Sequence, residues 1–205
     1  MDIYSILAIG RVMPVIVIED SKNAAGLGQA LLEGGIRTAE ITLRTKDALK
    51  AIEIMSRDLP ELCVGAGTIL NGDHARQARD AGARFAVSPG TTPSLIESCR
   101  KLNLPLLPGA ASISEMMQLS EQGFGACKFF PASAAGGPAF LKACYGPLPH
   151  LQFCPTGGIT PASAPEWLAL PNVNCLGGSW VATQKQIAEK DFSAIVKQAR
   201  HAAQL

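Results

Sequence analysis

The chain of 205 residues carries 18 Lys and Arg against 17 Asp and Glu, which gives a formal charge of +1 at pH 7. This near balance, with no basic cluster, argues against nucleic acid as a partner. Hydrophobic residues make up 47% of the sequence, too many for a disordered chain. No apolar run approaches the roughly 20 residues of a membrane span. The composition therefore predicts one compact domain over residues 1–205.

Short β-branched runs alternate with longer stretches rich in Ala, Leu, Glu and Lys along the whole chain. Strands are predicted at residues 12–18, 36–43, 62–68, 84–88, 104–108, 126–130, 151–156 and 173–176. Helices are predicted at residues 21–33, 46–58, 72–81, 93–102, 112–122, 137–143, 162–168 and 184–202. This alternation predicts an α/β fold in which helices cover a parallel sheet.

The number of βα units favours closure of the sheet into a single-domain (β/α)8 TIM barrel, with a doubly wound open sheet as the alternative. Small residues also gather where the predicted strands end, in segments 65–68, 88–91, 108–109, 155–158 and 177–179. A barrel places its binding loops at this carboxyl-terminal edge, so turn chemistry favours the barrel.

The second predicted strand carries polar residues on one face. Glu40, Thr42 and Arg44 are spaced two apart, so all three point into the barrel. Glu40 could transfer protons opposite an amine, or it could form an ion pair that only holds the core. Arg44, at the end of the strand, is suited to bind a substrate carboxylate through two hydrogen bonds.

Segment 65–70 follows a predicted strand and precedes a helix, as a dinucleotide-binding glycine loop does. The match fails because Leu70 stands where the third glycine belongs, and no acidic residue follows at the expected interval of about 20 residues. Thr68 is better interpreted as a hydroxyl beside a substrate carboxylate. The alternative is that Thr68 caps the next helix.

A lysine lies within the apolar strand predicted at residues 126–130. Alternation places Lys128 and Phe130 on the side facing the barrel interior. Cys127 and Phe129 then face the helices. Apolar surroundings disfavour an ammonium ion, which makes a lysine a nucleophilic amine near neutral pH. A salt-bridged or solvent-reaching structural lysine is the alternative, so the interpretation depends on the rest of the site.

Two glycine pairs follow the last two predicted strands. They are Gly157-Gly158 and Gly177-Gly178, and Ser179 follows the second pair. Barrels commonly bind phosphate there, because glycines expose backbone N–H groups and a serine adds a hydroxyl donor. The alternative is that each pair only forms a tight turn.

Cysteine and histidine usage indicates no metal site. The six cysteines show no C-x-x-C spacing and the three histidines are scattered, so buried free thiols are favoured over disulfides or zinc ligands. Free thiols suit a reducing compartment, and no signal peptide is evident at the N-terminus. A cytoplasmic protein is therefore expected.

Together these motifs resemble the KDPG/KHG aldolase family, whose members cleave 2-keto-3-deoxy-6-phosphogluconate (KDPG) or 4-hydroxy-2-oxoglutarate (KHG). The matching motifs occupy residues 40–45, 65–68, 88–90, 128–131, 153–159 and 177–180, in family order and over nearly the whole chain. The resemblance implies a class I aldolase of the Entner–Doudoroff pathway, built as a homotrimer of (β/α)8 barrels. It implies Lys128 as the Schiff-base lysine, Glu40 as the general acid/base, and no metal or organic cofactor.

The resemblance also implies a substrate-binding set. This set comprises Arg44 and Thr68 at the pyruvyl carboxylate, Thr156 at the sugar-acid hydroxyls, Gly157, Gly158, Gly178 and Ser179 at the phosphate, and Pro89 and Phe130 beside them. Thr156 matches gluconate-type members, while the phosphogalactonate-cleaving aldolases differ at that segment. The chain departs from the family at Ser133, where many members have Glu.

Two rival functions are compatible with a phosphosugar-binding barrel. A metal-dependent aldolase or phosphosugar epimerase would need clustered His and carboxylate ligands at strand ends, and the sequence has no such cluster. A non-catalytic phosphosugar-binding barrel would keep the glycine pairs but would have no reason to bury Lys128 opposite Glu40. A phosphogalactonate aldolase is the alternative within the same chemistry.

Overall fold

The computed structural model describes residues 2–205 as ten α-helices and nine β-strands. The strands are β1 (Val12–Ile16), β2 (Thr38–Thr42), β3 (Cys63–Gly67), β4 (Ala86–Val87), β5 (Leu106–Leu107), β6 (Gly109–Ala110), β7 (Ala126–Phe129), β8 (Gln152–Pro155) and β9 (Leu176–Gly178). The helices are α1 (Ile3–Leu7), α2 (Ala24–Glu33), α3 (Ala48–Asp58), α4 (Gly72–Asp80), α5 (Pro93–Lys101), α6 (Ile113–Glu121), α7 (Gly137–Cys144), α8 (Ala164–Leu168), α9 (Gln184–Ala188) and α10 (Phe192–Ala203). Short 3₁₀ turns lie at Ser21–Asn23 and Ser179–Val181.

The strands pair in parallel within two sheets. One sheet has six strands in the order β5-β4-β3-β2-β1-β9, and the other has three in the order β6-β7-β8. Only Pro108, which has no amide hydrogen to donate, separates β5 from β6. Isolated parallel bridges join Phe153 to Val173 and Thr156 to Gly177. The predicted α/β fold with a parallel sheet is confirmed, but the strand pairing forms two sheets rather than one continuous barrel.

Four elements differ from the sequence prediction. The strand expected at residues 104–108 is two short strands, Leu106–Leu107 and Gly109–Ala110. The strand expected at residues 173–176 lies at Leu176–Gly178, so the second glycine pair belongs to a strand and not to a turn. The helix expected at residues 184–202 is broken, because Lys190 has a φ of 56° and Asp191 caps a separate helix through Ala194 N–H. Helix α1 was not predicted, since its five residues span little more than one turn.

Hydrophobic side chains pack on both faces of the sheet. On the outer face, the Phe129 ring stacks on Phe140 of α7, with ring centroids 5.2 Å apart, and it also meets Trp167 of α8. Cys127 and Phe129 belong to this outer layer, as alternation predicted. Lys128, between them, consequently points to the inner face.

The inner face has a smaller apolar cluster of its own. Met13, Phe85, Leu107 and other strand residues pack there with Ile3, Ile6 and Leu7 of α1. Because α1 directly precedes β1, it covers the amino-terminal end of the strands and leaves their carboxyl-terminal ends for loops. Every helix within residues 2–205 is too short or too polar to span a membrane.

Candidate active site

A buried amine and a buried carboxylate meet inside the sheet. Lys128 Nζ on β7 donates a hydrogen bond to Glu40 Oε1 on β2 at 3.2 Å. The two residues expose only 3% and 2% of their surface. Removing both charges from water is costly, and a buried ion pair adds little net stability compared with apolar residues of similar volume. Such a pair points to a chemical role more than a structural one.

The strands next to β7 define what surrounds the amine. Lys128 is in register with Gly109 on β6 and with Cys154 on β8. Its Nζ lies 5.4 Å from the centroid of the half-buried Phe130 ring, a distance at which a cation is attracted to an aromatic face. One side of the amine is therefore aromatic and another carries a carboxylate.

Two thiols lie on the inner face close to this pair. Cys154 and Cys175 both belong to the inner apolar cluster. A hydrogen bond with Cys154, together with burial, raises the pKa of Cys175 well above its ordinary value. Both the hydrogen bond and the burial favour the neutral thiol of Cys175. No disulfide is present among the described residues, since all six cysteines are free and buried.

Arg44 and Thr68 contact each other at the ends of β2 and β3. Arg44 Nε donates to Thr68 Oγ1 at 3.0 Å. Thr68 has a φ of 58°, a backbone conformation that a β-branched residue rarely adopts and that clusters at functional sites. The alternative that Thr68 caps the next helix is wrong, because Asn71 Oδ1 accepts from His74 N–H at 2.9 Å in that role.

The first glycine pair forms a turn at the end of β8. Gly157 and Gly158 have φ values of 103° and 76°, which favour glycine. The loop after β7 is tied to this turn, because Ala132 N–H donates to the Thr156 carbonyl at 2.8 Å and Ser133 N–H donates to the Gly157 carbonyl at 3.0 Å. The Ser133 side chain lies 2.7 Å from the position of a Cβ on Gly158, which places Ser133 beside this turn.

The second glycine pair lies in β9 and allows neighbouring side chains to pack closely against that strand. A Cβ on Gly177 would lie 2.9 Å from Cγ2 of the buried Thr156, and a Cβ on Gly178 would lie 2.8 Å from the Trp180 ring. Ser179 follows at the start of the 3₁₀ turn and is exposed. Thr156 and both glycine pairs are thereby brought to adjacent strand ends.

Pro89 and Ser88 follow β4 at the same edge. The Pro89–Gly90 peptide occupies the space that a Cβ on Gly109 would need, with Gly90 N 2.6 Å away. The fully buried Ser88 hydroxyl accepts from Gly109 N–H at 3.3 Å. The buried Thr42, which the sequence placed on the inward face with Glu40 but gave no role, donates to the Ile16 carbonyl at 2.9 Å. Ser88 was also given no role from the sequence, although it opens the motif at residues 88–90.

The site residues form two polar contacts, not a single network. Within residues 2–205, the Arg44–Thr68 pair makes no hydrogen bond to Lys128 or Glu40. In the same part of the chain, His, Cys, Asp and Glu side chains form no group of three that could hold a metal ion. The Lys128–Glu40 pair can support addition of an amine to a carbonyl with a proton-transfer group alongside.

Comparison with known proteins identifies close relatives. A family model described as KDPG and KHG aldolase matches residues 3–198. A 2-dehydro-3-deoxy-phosphogluconate aldolase of Pseudoalteromonas atlantica is 45% identical over 94% of this chain and 90% of its own. A KHG/KDPG aldolase of Escherichia coli K12 is 43% identical over 98% of this chain and 94% of its own.

A solved structure is similarly close. The crystal structure of a KDPG aldolase from Legionella pneumophila, with pyruvate captured as a covalent carbinolamine intermediate, matches with a TM-score of 0.95 and 43% identity. The match covers 97% of both chains.

Proposed function

The chain belongs to the KDPG and KHG aldolase family, and from that membership we infer that it is a class I aldolase that cleaves KDPG into pyruvate and glyceraldehyde 3-phosphate. The observation that carries this proposal is the buried contact of 3.2 Å between Lys128 Nζ and Glu40 Oε1. An amine and a proton-transfer group in contact are what Schiff-base chemistry requires.

Lys128 is the proposed nucleophile. Its amine adds to the keto carbon of the substrate and forms a carbinolamine, the kind of intermediate captured with pyruvate in the Legionella enzyme. Loss of water then gives an imine, whose protonated nitrogen attracts electrons. The C3–C4 bond breaks, and its electron pair moves toward that nitrogen to form an enamine. No metal ion is needed as electron sink in this scheme.

Glu40 is the proposed general acid/base. It accepts the proton of the C4 hydroxyl, directly or through a water molecule, as that hydroxyl becomes the aldehyde. The enamine then takes a proton at C3, and water hydrolyses the resulting imine to release pyruvate and the free amine. Glu40 is the carboxylate in contact with Nζ, which supports this assignment.

The substrate-binding residues are assigned as proposals from family membership and position. Arg44 and Thr68 would bind the pyruvyl carboxylate, because their side chains already contact each other at 3.0 Å at neighbouring strand ends. The other proposed contacts are Thr156 with the sugar-acid hydroxyls and Gly157, Gly158, Gly178 and Ser179 with the phosphate. Pro89 and Phe130 complete the proposed substrate-binding set.

A second substrate, KHG, is proposed for the same site, with pyruvate and glyoxylate as products. The name of the Escherichia coli relative, KHG/KDPG aldolase, supports it. Chemistry supports it too, because KHG and KDPG share the pyruvyl half that Lys128 attacks.

We also propose that residues 1–205 form one closed (β/α)8 barrel domain. The bridges between the segments around β8 and β9, and the continuity of β5 and β6 across Pro108, support closure.

A homotrimer is proposed from the resemblance to the family. A cytoplasmic location is proposed because six buried free thiols suit a reducing compartment.

Imine trapping tests the proposed chemistry. The protein is incubated with pyruvate and sodium borohydride, digested, and the modified peptide is mapped by mass spectrometry. We expect a single reduced adduct at Lys128. Lys128→Met should abolish the adduct, and Lys142→Met, at an exposed lysine of α7, should leave it intact. An adduct at another lysine, or no adduct, would refute the proposal.

A further inference from the structure

The turn that carries Ser179 is held from the outside by the last helix. Gln198 of α10 is half-buried. The orientation of its amide that gives both ends a hydrogen-bond partner directs the nitrogen toward the turn, where it lies 3.0 Å from the carbonyl oxygens of Trp180 and Val181 and 3.1 Å from Gln186 Oε1. Residues 179–181 form this 3₁₀ turn directly after β9. One side chain on an outer helix thus holds two consecutive carbonyl groups next to Ser179.

The Trp180 ring holds the same turn from the strand side. Its Cη2 atom lies 2.8 Å from the position of a Cβ on Gly178, so the indole lies flush against the glycine backbone. The ring also packs against the outer hydrophobic core. The ring therefore packs against Gly178 before Ser179, and Gln198 contacts the two carbonyl groups that follow it.

The Gln198 amide is itself held in place by α9. Gln186 Nε2 donates to Gln198 Oε1 at 3.2 Å. The other end of the Gln186 amide accepts from Thr183 N–H at 3.1 Å and from Thr183 Oγ1 at 2.8 Å. With both ends of its amide engaged, Gln198 has one favoured orientation, and in it the NH₂ group points at the turn.

We propose that Gln198 is a positioning residue that, with Trp180, pre-organises Gly178 and Ser179 to bind the phosphate of the substrate. This inference rests on the proposed function, which assigns the phosphate to these residues. Gln198 touches no reacting atom. Its effect comes from fixing the turn before the substrate arrives, so that less ordering is needed on binding.

Substitution of Gln198 should affect phosphorylated ligands selectively. Gln198→Ala removes two neutral hydrogen bonds, which corresponds to about a three- to tenfold rise in KM for KDPG. The inhibition constant of inorganic phosphate should rise by a similar factor. The loss in kcat/KM should be smaller for KHG, which has no phosphate, so the ratio of the two kcat/KM values should fall. Lys197→Ala, at the exposed neighbour on α10, is the matched control and should leave the ratio unchanged.

Two further variants test the same point if Gln198→Ala folds poorly. Gln198→Glu keeps the shape but turns carboxylate oxygens toward the two carbonyl oxygens, so the ratio should fall further. Trp180→Phe keeps an aromatic ring over Gly178 and should retain more discrimination than Trp180→Ala. Equal losses for both substrates, or an unchanged ratio in variants with wild-type circular dichroism, would overturn the inference.

Pyruvate trapping separates this inference from the proposed function. If wild-type protein forms no borohydride-trapped adduct at Lys128, the proposed function is wrong and the inference falls with it. If the adduct forms in wild type and in the Gln198 variants while phosphate inhibition is unchanged among them, only the inference is wrong. Adduct formation together with weakened phosphate inhibition supports both.

Discussion

The carboxylate of Glu40 occupies the space beside Gly67 that a side chain there would need, with its Cδ 2.6 Å from the position of a Cβ on residue 67. Gly67 lies at the end of β3, which pairs with β2. The absence of a side chain on one strand therefore sets the position of the carboxylate on the next. This explains on steric grounds why glycine is needed at residue 67.

Gly67→Ala should consequently impair turnover without unfolding the protein. The added methyl group must push the Glu40 carboxylate away from Lys128, and misplacing a proton-transfer group by about 1 Å can cost on the order of a hundredfold in rate. We expect kcat for KDPG to fall by about that factor. Gly10→Ala, where a Cβ would have no atom within 4 Å, is the control. Wild-type kcat in Gly67→Ala would contradict this steric account.

Glu40 and Ser179 should differ in how their loss depends on the substrate. Glu40→Gln removes the proposed proton-transfer group and should reduce kcat for both KDPG and KHG by about a hundredfold or more. Ser179→Ala removes one donor to a charged oxygen, worth about 1.5–3 kcal/mol, so kcat/KM for KDPG should fall roughly ten- to a hundredfold. Its effect on KHG should be much smaller. Equal effects of Ser179→Ala on the two substrates would show that Ser179 does not bind the phosphate.

Chelation should leave activity intact. The proposed imine nitrogen acts as the electron sink that a Lewis-acid cation provides in metal-dependent aldolases. We expect KDPG cleavage to survive exhaustive dialysis against EDTA, measured by coupling pyruvate release to lactate dehydrogenase. Activity that disappears on chelation and returns with zinc, magnesium or manganese would assign the chain to the metal-dependent class.

The buried thiols should make the fold less stable at high pH. Burial raises the pKa of Cys127 to about 12 and that of Cys99 to about 11, from an ordinary value of 9.0. An unfolded chain releases these protons near pH 9 while the folded chain retains them. The stabilisation is thus complete below pH 9 and is lost as pH rises toward 11 to 12, by up to about 1.4 kcal/mol per pH unit per thiol.

Urea denaturation between pH 8 and 10.5 measures this effect. The free energy of unfolding of the wild type should fall more steeply with pH than that of Cys127→Val, in which one thiol is replaced by an apolar side chain suited to a strand. Comparing the two slopes removes the contribution of Tyr and Lys titration, which both proteins share. Identical slopes would contradict the expectation for Cys127.

The sequence predicted which strand residues face the inside of the sheet, but it did not predict the order of the strands. Alternation along residues 38–42 and 126–129 was enough to place Glu40 and Lys128 on inward faces, because the strand period is strict. Their contact at 3.2 Å joins β2 to β7, and sheet order is a property of the whole chain that no local pattern contains.

Glycine pairs were ambiguous from sequence for a physical reason. Gly157-Gly158 is a turn of positive φ, whereas Gly178 is extended at φ −120° and ψ 109°. Glycine is favoured at the first pair by backbone conformation and at the second by close packing against Thr156 and Trp180. Both causes select the same residue, so composition alone could not separate a strand from a turn.

Gln198 could not be recognised from sequence as a candidate positioning residue. On an amphipathic helix a half-buried glutamine is unremarkable, and its partners are backbone carbonyls of residues 180 and 181, which leave no mark in the sequence. The break between α9 and α10 was missed for a similar reason, because Lys190 is a good helix former that here adopts a φ of 56°.

The position of helix α1 bears on the order in which the products of the proposed reaction leave the site. Ile3, Ile6 and Leu7 pack into the inner cluster and cover the amino-terminal end of the strands. In the proposed reaction, substrate and products therefore enter and leave at the carboxyl-terminal end. After C3–C4 cleavage only the aldehyde is free to diffuse, since the pyruvyl fragment is still bonded to Lys128. Product release is therefore ordered. The aldehyde leaves first, and pyruvate leaves after water has hydrolysed its bond to Lys128.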